Sequence, residues 1–156
     1  MAAKKMAIIA TKGALDMAYP PLILASTAAA LGWDVQIFFT FYGLQLLRKD
    51  LSGIAISPIG NPAMPMPVPM PTVVAMLPGM EAMATSMMKA KMKKKGVASL
   101  EELRDLCLEA DVKFIACQMT VDLFDFQKSD FIEPIEYGGA ATFMKFAGET
   151  DVCLFI

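Results

Sequence analysis

The sequence predicts an α/β fold in which a mostly parallel sheet of about five strands lies between two layers of helices. Two observations lead to this prediction. Short apolar runs typical of buried strands alternate with longer helical patterns, in the order β-α-β-α from the start of the chain. The 156 residues, 56% of them hydrophobic, also suffice for a single domain with a substantial core. Right-handed crossovers would bring the carboxyl ends of the strands to one edge of the sheet, where ligands bind in such folds, near the point at which the strand order switches.

The first strand and the first helix are indicated by residues 4–13 and 14–32. "KKMAIIATKG" is a short apolar run ended by glycine, as expected of a strand buried on both faces. "ALDMAYPPLILASTAAALG" is rich in Ala and Leu and closes with Gly32, which is typical of a helix with a C-terminal glycine cap. Pro20 and Pro21 should kink this helix or reset its start.

A second strand and an insertion follow. Residues 34–43, "DVQIFFTFYG", combine β-branched and aromatic residues and predict a strand, with a short helix over 44–49. An insertion at about 53–96 begins with alternating prolines, which exclude a regular helix and predict a long ordered loop through residue 72. Met64, Met66 and Met70 in this loop should seek an apolar contact.

The second part of the insertion predicts a helix over 72–95 with a break at Pro78 and Gly79. The methionines at 76, 80, 83 and 87 repeat at helical spacing and should form one face, and five lysines crowd the end of the helix. This face suits a membrane surface or a Met-binding partner, or else a subunit interface or a lid over the sheet edge. We favour the interface or lid.

Five further elements complete the predicted fold. Ser99 and Glu102 have the spacing of a capping box and predict a helix that runs to about Ala110. The remaining elements, in order, are a strand over 112–117, a short helix over 120–126 capped by Thr120, a glycine-started helix near 138–148 and a terminal strand over 151–156.

Composition excludes several kinds of chemistry. The chain has no histidine, which removes Ser-His-Asp and Cys-His catalysis and histidine-ligated metal sites, so nucleophilic chemistry would rest on Cys, Lys, Ser or carboxylates. A net charge of −2 offers no general attraction for nucleic acid. The three cysteines are widely spaced without C-x-x-C, so neither a disulfide framework nor a zinc site is expected, and a reducing cytoplasm is the expected compartment.

The two longest uncharged stretches do not have the character of membrane spans. Residues 17–33 are barely long enough and contain tandem prolines, and residues 53–80 contain seven prolines, which a lipid-facing helix would not accept. The beginning of the sequence lacks the pattern of a signal peptide. We therefore expect a soluble protein without membrane contact.

Cys117 is the cysteine whose position suggests chemistry. It ends the strand over 112–117, just before a helix, where unpaired backbone N–H groups lower the pKa of a thiol. The residues alone leave a buried core thiol and a reactive thiol equally open. Cys107 lies on the apolar face of its helix and Cys153 lies inside the terminal strand, so both are interpreted as core residues.

Five stretches of the chain, taken together, resemble a known family. They are "GNPAMPMPVPMP", "LPGMEAMATSMMKAKMKKKGVASLEEL", "KFIACQM", "YGGAATF" and "VCLFI". This set resembles the DsrE/DsrF/DsrH-like family in its longer branch, once labelled peroxiredoxin-like, over essentially the whole chain. The resemblance implies a flavodoxin-like three-layer sandwich, a homo-oligomer (trimer, tetramer or hexamer) and the handling of sulfane sulfur.

The resemblance also implies site residues and partners. By motif match, Cys117 would carry sulfur as a persulfide or thiosulfonate and pass it to a TusA-like carrier, with rhodanese-like proteins as further partners, and Cys107 would be a second thiol. Such a sulfurtransferase needs no metal and no organic cofactor. The expected lining of the site comprises Thr11, Lys12, Gly13, Tyr42, Gly43, Asn61 and Pro62 from strand-end loops, with Gln118, Met119 and Thr120 beside the thiol.

Two rival interpretations come from other classes of protein. In the first, the strand-end edge and the "YGGA" stretch at 137–140 hold a nucleotide or another anion without catalysis. In the second, the chain is an oligomeric scaffold whose Met/Pro loop and Met/Lys helix serve assembly.

Overall fold

A computed structural model describes residues 2–58, 67–68 and 71–156. Asn61 and Pro62, predicted to line the site, and the loop residues Met64, Met66 and Met70 lie outside this described part.

Five strands form one sheet in the order β4-β3-β2-β1-β5. They are β1 Lys5–Ala10, β2 Asp34–Phe39, β3 Lys113–Cys117, β4 Glu136–Gly138 and β5 Val152–Phe155. All four pairings between neighbouring strands are parallel. The α/β class and the parallel sheet are therefore confirmed.

Within the described residues, six α-helices connect the strands. They are α1 Leu15–Ala30, α2 Thr72–Ala75, α3 Met80–Lys94, α4 Leu100–Glu109, α5 Gln118–Leu123 and α6 Ala140–Ala147, and 3-10 helices span Phe41–Leu47 and Lys128–Asp130. Among the described residues, no helix has both the length and the apolar character needed to cross a bilayer.

Successive side chains along each strand point to opposite faces of the sheet, so the core is divided between the two faces. Ile8, Ile37 and Phe114 belong to the larger cluster, which also contains the buried faces of α1 and α4. Neighbouring strand positions point the other way into a smaller cluster under α6, made of Ala7, Phe38, Ile115, Cys117 and Phe143. The rings of Phe38 and Phe143 stack at 5.0 Å between centroids. The sheet thus lies between two helical layers.

Helix α1 differs from its prediction at the prolines. It begins at Leu15 and continues through Pro20 and Pro21, so its start is not reset there. Each proline removes one helix hydrogen bond, but the helix keeps Leu15, Leu22 and other apolar side chains buried against the sheet, and that burial favours the continuous helix. Gly32 adopts a left-handed backbone with φ 82°, as expected of the predicted cap.

The insertion forms two helices, α2 and α3, with the expected break between them, where Gly79 has φ 85°. The four methionines of the predicted face differ in environment. Met80 and three residues at four-residue spacing pack partly buried on the core, namely Ala84, Met88 and Met92, whereas Met76, Met83 and Met87 are exposed. Methionine occurs on both faces of α3, so its periodicity could not distinguish the face that packs.

The chain after α5 contains one strand that was not predicted. Residues 136–138 pair with β3 as strand β4, and α6 begins only at Ala140, with Gly139 at the N-cap. The helix predicted near 138–148 therefore begins two residues later in the structure than the sequence indicated. Three residues are too few to show strand periodicity, so the sequence pattern missed β4.

Cys153 is exposed, which contradicts its assignment to the core. In the edge strand β5, Val152 and Leu154 pack on the larger cluster, so Cys153 and Phe155 point to the opposite face. Phe155 is 74% exposed there. The apolar composition of the terminal strand indicated burial, but an edge position leaves one of its faces open.

Candidate functional site

Cys117 is the last residue of β3 and stands directly before α5. The predicted helix start at Thr120 is wrong, because α5 begins at Gln118 and Cys117 itself occupies the N-cap position. The residue is 5% exposed, with its side chain in the smaller core cluster. Thr120, one turn along the helix, points inward and is fully buried.

A small hydrogen-bond network joins α5 to the loop after β2. Thr40 follows the end of β2, and its Oγ1 lies 3.2 Å from Oγ1 of Thr120. The backbone N–H of Phe41 donates to the same Thr120 oxygen at 3.2 Å. Phe41 has φ 47°, a left-handed conformation that is uncommon for a bulky side chain. The network therefore joins the ends of two neighbouring strands, β2 and β3.

The surroundings change the pKa of Cys117 in two opposing ways. Burial raises the pKa of the thiol, because it penalises the charged thiolate. Hydrogen bonding by Thr120, through side chain and backbone, by the Thr40 side chain and by the Met119 backbone favours the thiolate. The hydrogen bonds outweigh burial, and the net pKa lies below the ordinary value for cysteine. Because the thiolate is the nucleophile, this environment favours sulfur chemistry.

Cys107 occupies the opposite environment. It is fully buried in the larger cluster, on the other face of the sheet from Cys117, and its Sγ donates to the carbonyl of Leu22 at 3.4 Å. Burial raises the pKa of Cys107 to about 12. The structure does not bring this expected second thiol to Cys117.

The other predicted lining residues lie at the same sheet edge but do not enclose the thiol. Lys12, Gly13 and Tyr42 line an open cavity of about 370 Å³ whose lining does not include Cys117. Thr11 donates from its backbone N–H and its hydroxyl to the carbonyl of Ile156, at 2.9 and 3.1 Å. The strand order switches between β1 and β5, two strands away from β3. Cys117 is therefore at the expected edge but not at the switch point.

Gly43 holds the loop after β2 tightly against β1. A Cβ on Gly43 would clash with the carbonyl oxygen of Ala10, and a Cβ on Gly13 would lie 2.5 Å from the carbonyl oxygen of Tyr42. Neither glycine has a positive φ, so backbone conformation does not require glycine there. The close approach of neighbouring backbone atoms does. This contact fixes the segment that carries Thr40 and Phe41.

Exposed apolar side chains lie on the 3-10 helix after β2 and on α5, and we call them the apolar rim: Phe41, Tyr42, Met119 and Leu123. Tyr42 stacks on the ring of Phe124 at 6.1 Å between centroids. Sequence reasoning missed Thr40, Phe41 and Leu123. The signal for Thr40 was its place just after β2, since the ends of adjacent parallel strands meet at one edge.

The part of the chain described by the structure offers no metal centre, since no three Cys, Asp or Glu side chains within it gather closely enough to hold an ion.

The fold and the site together define an α/β protein with a parallel five-stranded sheet and a nearly buried thiol at the end of a strand. A family model described as the DsrE/DsrF/DrsH-like family matches residues 2–155, so the chain belongs to that family. This confirms the resemblance seen in the sequence motifs.

The chain is also similar to individual proteins, which supports its place in this family. The chain is 65% identical over 160 residues to the sulfur carrier protein DsrE2 of Allochromatium vinosum, with 100% of each chain covered. It is 34% identical over 158 residues to the YrkE protein of Bacillus subtilis, with 98% of this chain and 97% of that protein covered. The crystal structure of the ychN protein from E. coli matches with a TM-score of 0.55 at 11% identity, over 98% and 99% of the two chains. That last likeness shows the fold.

Proposed function

We propose that this protein is a sulfur carrier that binds sulfane sulfur covalently on Cys117. The observation that carries the proposal is the position of the thiol: Cys117 ends β3 and occupies the N-cap of α5 at the carboxyl edge of the sheet, and it is nearly buried. Its lowered pKa agrees with this position. The 65% identical relative named as a sulfur carrier supports it.

The proposed transfer needs only thiolate chemistry. The Cys117 thiolate attacks the outer sulfur of a donor persulfide, a new S–S bond forms at Cys117, and the donor S–S bond breaks, so that the donor thiolate leaves with the electron pair. An acceptor thiolate then attacks the outer sulfur on Cys117 and releases the Cys117 thiolate in the same way. The two exchanges cause no net oxidation or reduction, so no metal or organic cofactor is needed.

The partners in this proposal are thiol proteins. A rhodanese-like protein would supply the sulfur and a TusA-like protein would accept it. Both would approach Cys117 across the apolar rim, because exposed apolar side chains on the helix that follows the thiol and on the loop after the neighbouring strand favour a protein partner. The three free cysteines agree with a reducing cytoplasm as the compartment. We also propose that the protein works as a homo-oligomer.

Intact-mass analysis after treatment with polysulfide or tetrathionate tests the site. Because Cys153 is also exposed, the comparison uses the Cys153→Ser background. We expect this variant to gain the mass of a sulfur or thiosulfate adduct, and the Cys117→Ser, Cys153→Ser double variant to gain none. Cys107→Ser in the same background is the matched control and should still load. Equal mass gain with and without Cys117 would show that the site assignment is wrong.

A second candidate function is supported by the cavity lined by Lys12, Tyr42 and Ser57, whose charge and size suit a small anion or a nucleotide. In that case the protein would be a ligand-binding module without catalysis. A thermal-shift panel of nucleotides on the Cys117→Ser variant distinguishes the two functions, since stabilisation that does not depend on the thiol would favour the binding module.

A further inference from the structure

The two outer edges of the sheet differ in composition. At one edge, β4 has only three residues, with the charged Glu136 in the strand and Pro134 two residues before it. Short length, charge and proline are features that keep an edge strand from pairing with another chain. At the other edge, β5 lies beside β1 alone among the described strands, and residues 152–156, "VCLFI", contain no charge and no proline. The β5 edge therefore lacks this protection.

The backbone of β5 has hydrogen-bonding groups that face away from the sheet. Ile156, directly after the strand, uses both its N–H and its carbonyl to bond to the end of β1, at 2.8 and 2.9 Å. Alternate residues of a strand bond to the same neighbour, so Leu154 also faces β1. Cys153 and Phe155, which lie between these positions, then direct their N–H and C=O groups outward. Four backbone groups are available to a further strand.

The same two residues carry exposed side chains on one face of the sheet. Phe155 is 74% exposed, and Cys153 is exposed beside it, because the smaller cluster under α6 does not reach β5. Leu154 points to the other face and is half-buried on the larger cluster. An uncovered apolar ring thus lies next to unpaired backbone groups.

We propose that β5 pairs antiparallel with β5 of a second copy of this chain around a two-fold axis, which joins the two sheets into one sheet of ten strands. The register that uses all four outward groups places Cys153 opposite the partner's Phe155, and each such pair exchanges two hydrogen bonds. Leu154 then lies opposite its own copy on the axis. This inference rests on the homo-oligomer proposed above and specifies the surface that forms it.

The side chains in this register are complementary across the axis. A two-fold axis repeats every contact, so the ring of Phe155 packs on the partner's Cys153 twice. Contacts between sulfur and an aromatic ring are favourable. On the other face, the two copies of Leu154 meet and extend the larger cluster of each chain. Apolar side chains therefore meet on both faces of the junction.

The charges near β5 favour the antiparallel direction. Asp151 is exposed at the start of the strand, and the other carboxylate there, Glu149, is already paired with Lys5 at 2.9 Å. Lys12 is exposed beside the end of the strand, one residue after the bond that joins β1 to that end. Antiparallel pairing brings each start to the partner's end, so Asp151 approaches the partner's Lys12 on both sides of the axis. Parallel pairing would bring like charges together.

This pairing leaves the candidate thiol accessible. Cys117 ends β3, which lies three strands from β5. The two copies of Cys117 are seven strand spacings apart, roughly 34 Å. Because the sheets run in opposite directions, the two thiols lie at opposite edges of the joined sheet and would load independently.

Disulfide cross-linking tests the register. Leu154→Cys in the Cys117→Ser, Cys153→Ser background places a thiol on the axis, where Cα atoms about 4.5 Å apart permit a disulfide. We expect oxidation by diamide to link two chains on a non-reducing gel. The matched control is Cys117→Ser alone, which keeps Cys153. Its two copies lie on a diagonal, about 7–8 Å apart, which is too far for a relaxed disulfide.

The Leu154→Cys variant should link about a hundredfold faster than the control, because assembled thiols have an effective concentration on the order of 1 mM against about 10 μM for free protein. If this variant does not fold, Phe155→Cys in the Cys117→Ser background decides, since it changes an exposed position and places its new thiol opposite the partner's Cys153. Equal linking of variant and control, or a native mass of one chain by light scattering, would overturn the inference.

Sulfur loading of Cys117 is measured separately, by intact mass on the native chain. Cross-linking at the axis without loading removes the sulfur-carrier proposal alone. Loading without cross-linking removes this inference alone, and a native mass above one chain in that case leaves the homo-oligomer with a different contact.

Discussion

The three cysteines show how environment decides what one residue type can do. Cys107 is buried with its thiol bonded to a carbonyl, Cys153 is exposed on an edge strand, and Cys117 is nearly buried at the N-cap of a helix, with a pKa below the ordinary value. Motif and strand position together predicted Cys117. Thr120 was predicted beside the thiol, but its bridge to Thr40 was not, because the direction of the Thr120 side chain depends on where α5 begins, and the predicted start was two residues late.

Cys107 should make the stability of the protein depend on pH under alkaline conditions. The pKa of its thiol rises from 9.0 to about 12 in the folded protein, so above about pH 9 the unfolded chain loses a proton that the folded chain retains. The stabilisation is complete below pH 9 and is lost as the pH rises toward 12. We expect the free energy of unfolding to fall by about 1.4 kcal/mol per pH unit in this window.

Urea titrations at pH values between about 8 and 11 measure this slope. The matched variant is Cys107→Ala, which lacks the thiol and should therefore show a flatter dependence, although it begins less stable because of the cavity. Lysines titrate in the same window in both proteins, so the difference between the two slopes isolates Cys107. Parallel slopes would contradict the prediction.

At the scale of elements, long periodic segments were predicted well and short ones were not. The strands β1 and β3 and the helix α4 with its capping box appear where apolar runs and cap residues placed them. Strand β4 was missed because it has three residues, and methionine periodicity could not identify the face of α3 that packs on the core, because both faces carry methionine. Local pattern determines an element, but its packed face depends on neighbours distant in sequence.

Gly43→Ala tests the contact that positions the turn after β2. The added Cβ would clash with the backbone carbonyl of Ala10, and backbone cannot move aside as a flexible side chain can. We expect a loss of about 1–3 kcal/mol in the free energy of unfolding. Gly53→Ala is the control, since a Cβ there meets nothing within 4 Å and its φ is not positive. Urea unfolding of both variants gives the comparison, and equal stabilities would refute the role assigned to Gly43.

At the scale of the whole molecule, one face of the sheet is less completely covered than the other. The smaller cluster under α6 ends before β5, so Phe155 and Cys153 remain exposed on that side. The homo-oligomer implied by the family resemblance would cover such a face. A single sequence cannot predict the interface, because an exposed apolar residue and a residue buried between subunits have the same local pattern.

Phe155→Lys tests whether this face is the contact between copies. We expect light scattering coupled to size exclusion to give the native protein a mass above that of one chain, and the variant a lower mass, because a lysine there would be desolvated on assembly. Leu31→Lys is the control, with similar exposure at the end of α1, 70% against 74% for Phe155. A reduced mass for Leu31→Lys alone would place the contact on the opposite face.

The distribution of the three thiols has a consequence for how long a cargo would stay bound. Cys107 lies across the sheet from Cys117. Cys153 lies on the same face as Cys117 but three strands away, at least about 14 Å at the usual strand spacing, whereas a disulfide needs Cα atoms within about 7 Å. No thiol of the same chain can displace the outer sulfur from Cys117 in this fold. The residence time of the cargo is then set by the rate of encounter with another molecule, and a loaded protein kept without a thiol partner should retain its sulfur.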